Sequence, residues 1–146
     1  LVQMDQVTCA SPAYLQARGV PQALEDLSGH QVGEYVSSAS GKRYGLEFQV
    51  DDEVRLVDLP KRLAVNSAEG YLAACVAGYG LVQTPHYHVA QLVREGRLQE
   101  VLRDCLPPRL ALTALYPHHR QLSPRVRVFV DWLVDLCARP GSAFKR

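Results

Sequence analysis

The stretch VNSAEGYLAACVAGYGLVQTP, residues 65–85, decides the fold. Asn66 and Ser67 open a helix, and Glu69 stands three residues after Asn66, the spacing of a capping box in which side chains satisfy otherwise unpaired backbone N–H groups. Tyr71, Leu72, Cys75, Val76 and Tyr79 follow at intervals that predict one apolar face, and Gly78 and Gly80 end the helix. Residues 81–84 form a short buried strand. Pro85 starts the next helix, with Val89, Leu92 and Val93 turned inward before Gly96. Strand, helix, strand, helix is the rhythm of an α/β domain, a mixed or parallel sheet with flanking helices.

Upstream, Gln6 to Ala10 is a short β-like run. Ser11 then offers an N-cap and Pro12 a first helical position, where a missing N–H costs nothing, so a helix runs to Arg18 and stops at Gly19. Residues 21–27 are a turn or single helical turn, residues 30–36 a strand, and the small polar residues 37–42 a loop. Tyr44, Leu46, Phe48 and Val50 alternate with Gly45, Glu47 and Gln49, the period of a half-buried strand. Asp51 and Asp52 turn the chain, and Val54, Leu56 and residues 62–65 continue as strands around a break at Pro60.

Downstream, residues 98–102 are extended, Pro107 and Pro108 break the chain, and residues 110–116 make another strand. The clearest element is last. Ser123 caps, Pro124 takes the first helical position, and Val126, Phe129, Val130, Leu133, Leu136 and Cys137 recur at helical spacing until Pro140 and Gly141.

Composition narrows the function. Of 146 residues 47% are hydrophobic and 21% charged, which suits one globular domain. No apolar run reaches the ~18 residues of a membrane helix, and no charged-then-apolar leader precedes the first strand. Sixteen basic against fifteen acidic residues leave a formal charge of +1, a poor footprint for direct binding to nucleic acid. The densest basic group, Arg120, Arg125 and Arg127 beside His118 and His119, reads as the solvated start of the last helix. Cys9, Cys75, Cys105 and Cys137 are too dispersed for a zinc clamp or a secreted disulfide framework, and read as reduced thiols of a cytoplasmic protein. His86 and His88 lack supporting metal ligands. No phosphate-binding glycine loop and no nucleophile elbow occurs, and residues 51–53 read as a solvated hairpin tip. No enzyme activity, cofactor or metal is expected. A helix N-terminus after one strand and a serine loop after another are the places where an open α/β sheet gathers an anion.

The order of the segments resembles the effector domain of LysR-type transcriptional regulators. Ser11-Pro12-Ala13-Tyr14-Leu15, Gly19-x-Pro21 and Glu25-Asp26-Leu27-x-x-His30 resemble the start of the family's second subdomain. Val65-Asn66-Ser67-Ala68-Glu69, then Ala73-Ala74-x-x-Ala77-Gly78-x-Gly80-Leu81 and Pro85, are similar to its strand, capped helix, glycine turn and returning strand. Leu115-Tyr116-Pro117 and the run from Leu122 to Leu133 resemble its closing strand and C-terminal helix.

The resemblance covers residues 6–139 and implies a fold like type 2 periplasmic binding proteins: subdomain II over about residues 8–83, and the C-terminal part of subdomain I over about residues 84–139. It also implies that the helix-turn-helix, the linker helix and the first half of subdomain I lie outside these residues. Promoter DNA would be met only through that helix-turn-helix, with no membrane partner. The implied function is sensing of a small, anionic metabolite between subdomains, at Tyr35, Val36, Ser37, Ser38, Asn66, Gln83 and Thr84. Self-association as a dimer or tetramer is implied too, through the helix bearing Ala73, Ala74 and Ala77. The competing readings are a free-standing solute-binding protein of the same fold and an enzyme on a similar scaffold. With subdomain I incomplete, the closing helix is expected to lack part of its packing surface.

Overall fold

The computed structural model describes residues 2–115 and 123–139. Strand β1 (Val2–Met4) leads to β2 (Gln6–Ala10), and α1 (Pro12–Arg18) follows at once. The Ser11 hydroxyl accepts the Tyr14 N–H and Pro12 opens the helix, as the sequence requires. A 3-10 turn (Leu24–Gly29) precedes β3 (Val32–Val36), β4 (Arg43–Tyr44), β5 (Leu46–Val50), β6 (Glu53–Val57) and β7 (Lys61–Val65). Then come α2 (Ala68–Val76), β8 (Val82–Pro85), α3 (His86–Arg94), β9 (Gln99–Val101), β10 (Leu110–Leu112) and α4 (Pro124–Ala138).

The strands form small sheets. β2 lies between β8 and β9, antiparallel to both, and β3 lies between antiparallel β4 and parallel β7. β5 and β6 make a hairpin whose turn residues Asp51 and Asp52 both have positive φ, as a two-residue type I′ turn demands. β1 pairs with β10. The two three-stranded sheets are stitched where Leu81 N–H donates to Gln31 and Gly33 N–H donates to Leu81. That close approach needs Gly80: its φ is +145, and a Cβ there would lie 2.5 Å from the Gln31 carbonyl oxygen.

One apolar cluster gathers Tyr14, Leu15, Leu27, Val32, Leu46, Phe48 and Leu81, and a second gathers Val7, Cys9, Tyr71, Cys75, Val82, Val89 and Leu98. The alternation read over β5 is explained by Leu46 and Phe48, which are fully buried.

Several expectations change in detail. Ser67, not Asn66, caps α2, accepting the Gly70 N–H at 3.0 Å, so the residue after Asn66 makes the bend. Tyr79 falls beyond α2 and is exposed rather than on its inner face. Pro85 is the last residue of β8 and caps α3 instead of starting it. The strand expected over residues 110–116 spans only Leu110–Leu112, and Tyr116 lies outside the described residues, as do His118, His119 and Arg120. Along α4 only Cys137 is buried, and Val126 and Phe129 are exposed.

Candidate functional site

A cavity of about 610 Å³ opens where β2 and β8 pass the β3–β4 hairpin. Tyr35, Ser37, Gln83 and Thr84 line it. Val36, Ser38 and Asn66 do not: Val36 is half-buried outside the lining, and Ser38 and Asn66 are solvent-exposed. The α2 N-terminus contributes Ala68 to the wall, so the helix reaches the cavity although its predicted cap does not.

The loop serines are engaged in shaping their own turn. Ser37 N–H donates to the Lys42 carbonyl at 2.8 Å, Gly41 N–H to the Ser37 carbonyl at 2.7 Å, and the Ser37 hydroxyl accepts the Ser40 N–H at 3.3 Å. This tight reversal places Lys42 and Tyr44 on the cavity wall. Behind it the buried Glu34 carboxylate accepts from the Arg43 guanidinium at 2.6 Å and faces Lys61 at 3.7 Å, which ties β4 to β3 and β7.

On the opposite wall Gln83 is fully occupied. Its Oε1 accepts the Glu47 N–H at 2.9 Å, its Nε2 donates to the Glu47 carbonyl at 2.9 Å and to Thr8 Oγ1 at 3.3 Å, and its own N–H donates to the Tyr71 hydroxyl at 3.2 Å. Thr84 Oγ1 lies 3.2 Å from His88 Nδ1. Burial lowers the His88 pKa, with Glu69 opposing, which favours a neutral imidazole in the wall.

Sequence reasoning missed Lys42, Tyr44, Tyr71 and His88 among the cavity residues. Tyr71 and His88 sit at helix positions that read as core or surface, and only the reversal of residues 37–42 brings Lys42 and Tyr44 round. The arrangement offers hydroxyls, an ammonium, an imidazole and aromatic rings, suited to holding a small polar molecule. Among the described residues no group of three or more His, Cys, Asp and Glu side chains could hold a metal ion. The cysteines are free, Cys9, Cys75 and Cys137 are buried, and burial raises the Cys75 thiol to about 12, which keeps it protonated and unreactive. Among the described residues no helix is long and apolar enough to cross a membrane.

An α/β scaffold with a cavity of mixed apolar and polar lining beside its paired strands β2 and β8 has the form of a ligand-binding domain. The chain belongs to the LysR substrate-binding domain family, whose model matches residues 1–138. It is 38% identical over 136 residues to YhjC, an uncharacterized HTH-type transcriptional regulator of Escherichia coli, covering 93% of this chain and 46% of that protein. The chain thus spans less than half the length of that relative. The regulatory domain of CrgA, a LysR-type transcriptional regulator from Neisseria meningitidis, superposes with a TM-score of 0.66 at 26% identity, over 92% of this chain and 65% of that one. Full-length AphB of Vibrio cholerae, at 22% identity, shares the fold with a TM-score of 0.69 over 92% of this chain and 45% of that one. The family is one of transcriptional regulators with a ligand-binding domain, not of enzymes.

Proposed function

We propose that this chain senses a small, anionic metabolite for a cytoplasmic bacterial LysR-type regulator, and that the bound state controls transcription through a helix-turn-helix domain of the whole protein. The observation that carries the reading is the cavity between the paired strands β2 and β8 and the β3–β4 hairpin, with Tyr35, Ser37, Gln83 and Thr84 in its wall. The α2 N-terminus adds a favourable field for an anion, worth roughly 0.3–1 kcal/mol where exposed and up to ~2 where partly buried. Several contacts must therefore share the binding. The likeness to an HTH-type transcriptional regulator favours this role over that of a free-standing solute-binding protein.

Packing supports a revised subdomain boundary. Val89 of α3 shares a cluster with Tyr71 and Cys75, and β9 pairs with β2, so residues 84–101 belong with the body built by residues 8–83. The return to subdomain I then falls after β9, with β10 and α4 joining β1. For self-association α2 offers Ala73 and Ala77, both exposed, whereas Ala74 is buried in its own core.

A ligand switches the regulator only by binding its two subdomain arrangements unequally. The test is a thermal-shift screen of the full-length protein against small carboxylates and phosphates, followed by promoter response. Thr84→Ala and Ser37→Ala should weaken both readouts, and Ser38→Ala should leave them unchanged. Wild-type behaviour of the first two variants removes the site assignment.

A further inference from the structure

Lys42 and three tyrosines give the cavity a more specific chemistry than a general anion site. The Lys42 ammonium has no carboxylate partner among the described residues and lies over the Tyr44 ring, 5.0 Å from its centroid. Its neighbour Arg43 is committed to Glu34. Tyr44 packs against Tyr35 at 6.1 Å, and Tyr35 meets Tyr71 edge-on at 5.9 Å, so the rings form a continuous wall. Tyr71 is 7% exposed, and its oxygen accepts the Gln83 N–H. Burial raises its pKa to about 12, so the phenol keeps its proton, and no acceptor for that proton is found among the described residues. A buried donor without an acceptor is uncommon and calls for a partner.

Resting on the effector-sensing reading above, we infer that the cavity selects a flat, ring-bearing carboxylate, with Lys42 pairing its anion, Tyr71 donating to it, and Tyr44 and Tyr35 flanking its ring. Glu47 also lines the cavity and raises the opposite possibility, a ring-bearing amine. The Lys42 ammonium argues against it, because a cation already beside the Tyr44 ring repels a second one. A carboxylate gains a charge-assisted partner from the same ammonium. A planar ring gains offset or edge contacts on the tyrosines that a puckered ring of equal size does not.

The experiment compares benzoate, cyclohexanecarboxylate and benzylamine by calorimetric titration of the full-length protein. Benzoate should bind about threefold or more tighter than cyclohexanecarboxylate, and benzylamine should not saturate. Lys42→Met should weaken both carboxylates about tenfold and Lys42→Arg should restore them, while Tyr44→Leu should erase the difference between the two carboxylates. Lys42 and Tyr44 are exposed, so these variants fold. Tighter binding of benzylamine, or carboxylate affinities unchanged in Lys42→Met, overturns the inference. Equal binding of the two carboxylates overturns ring selection alone, whereas binding of neither up to its solubility limit overturns the inference whole; the small-anion reading then stands or falls by the screen of small carboxylates and phosphates.

Discussion

Helices α2 and α4 make opposite use of similar material. α2 has nine residues, several of them alanine or glycine, yet it buries Tyr71, Ala74 and Cys75 against β2, β3 and β8. α4 has fifteen residues and the more regular apolar stripe, yet it meets β1 and leaves Val128 68%, Phe129 58% and Trp132 51% exposed. Phe129 and Trp132 pack on each other, with ring centroids 5.7 Å apart. Periodicity therefore tells which face of a helix is apolar. What covers that face depends on residues distant in the chain, and the energy of burial follows the cover.

The contrast can be broken by substitution. In equilibrium urea unfolding of the 146-residue chain, Phe48→Ala should cost about 3–5 kcal/mol, because the ring is fully buried in the first cluster. Phe129→Ala should stay within about 0.5 kcal/mol, as surface changes do. A comparable loss from both would show α4 docked as firmly as the body. The turn that follows α2 sharpens the same point: Gly80→Ala drives a Cβ against the Gln31 carbonyl in a left-handed conformation and should cost about 1–3 kcal/mol. Unchanged stability there would mean that the stitch between sheets yields.

Caps give a smaller effect. Ser67→Ala removes the acceptor for the Gly70 N–H and should lower the unfolding free energy by about 1 kcal/mol. Ser123→Ala removes the equivalent bond to Val126, but the loss should register as fraying in amide exchange over α4 with little change in the global midpoint. The smallest effect is on pH dependence. Burial, aided by Arg18 and opposed by Asp26, lowers the His30 pKa below 6.5, so the unfolded chain takes the proton first as pH falls. Stability from neutral His30 is complete above about pH 6.5 and is lost on descent from there toward the folded value. His30→Gln should flatten that slope in urea titrations, and an unchanged slope would assign it to other groups.

These pairs also show what was legible in the sequence. Local chemistry announced itself: Ser11-Pro12 and Ser123-Pro124 start helices, Asp51-Asp52 turns a hairpin, and alternation marks Leu46 and Phe48. The helix after β7 is legible, but the sequence points to Asn66 where the structure caps with Ser67, because both have capping side chains and only the backbone bend selects between them. In the cavity wall, Tyr35, Ser37, Gln83 and Thr84 follow from the family resemblance, which sets the loop after β3 and the crossover at residues 83–84 beside a cleft. Lys42 and Tyr44 do not, because the same residues on a straight chain would face away; the hydrogen bonds across residues 37–42 bring them round. Asn66 and Ser38 resemble ligand donors by type, and they stand exposed outside the cavity lining.

Gln83 constrains the sequence as well as the fold. Its amide pairs with both the N–H and the carbonyl of Glu47, so a side chain stands in for a peptide unit and joins β8 to the β5–β6 hairpin as a strand would. Glutamate would keep the acceptor and lose the donor, lysine the reverse, and asparagine would fall a methylene short. The position thus specifies an amide at one length, a constraint as narrow as many a binding contact although the bonds are internal. A selection for folding alone would enrich Gln83 as strongly as a selection for sensing, so its frequency among functional variants reports on architecture, while tolerance at Lys42 and Tyr44 tests the proposed ligand contacts.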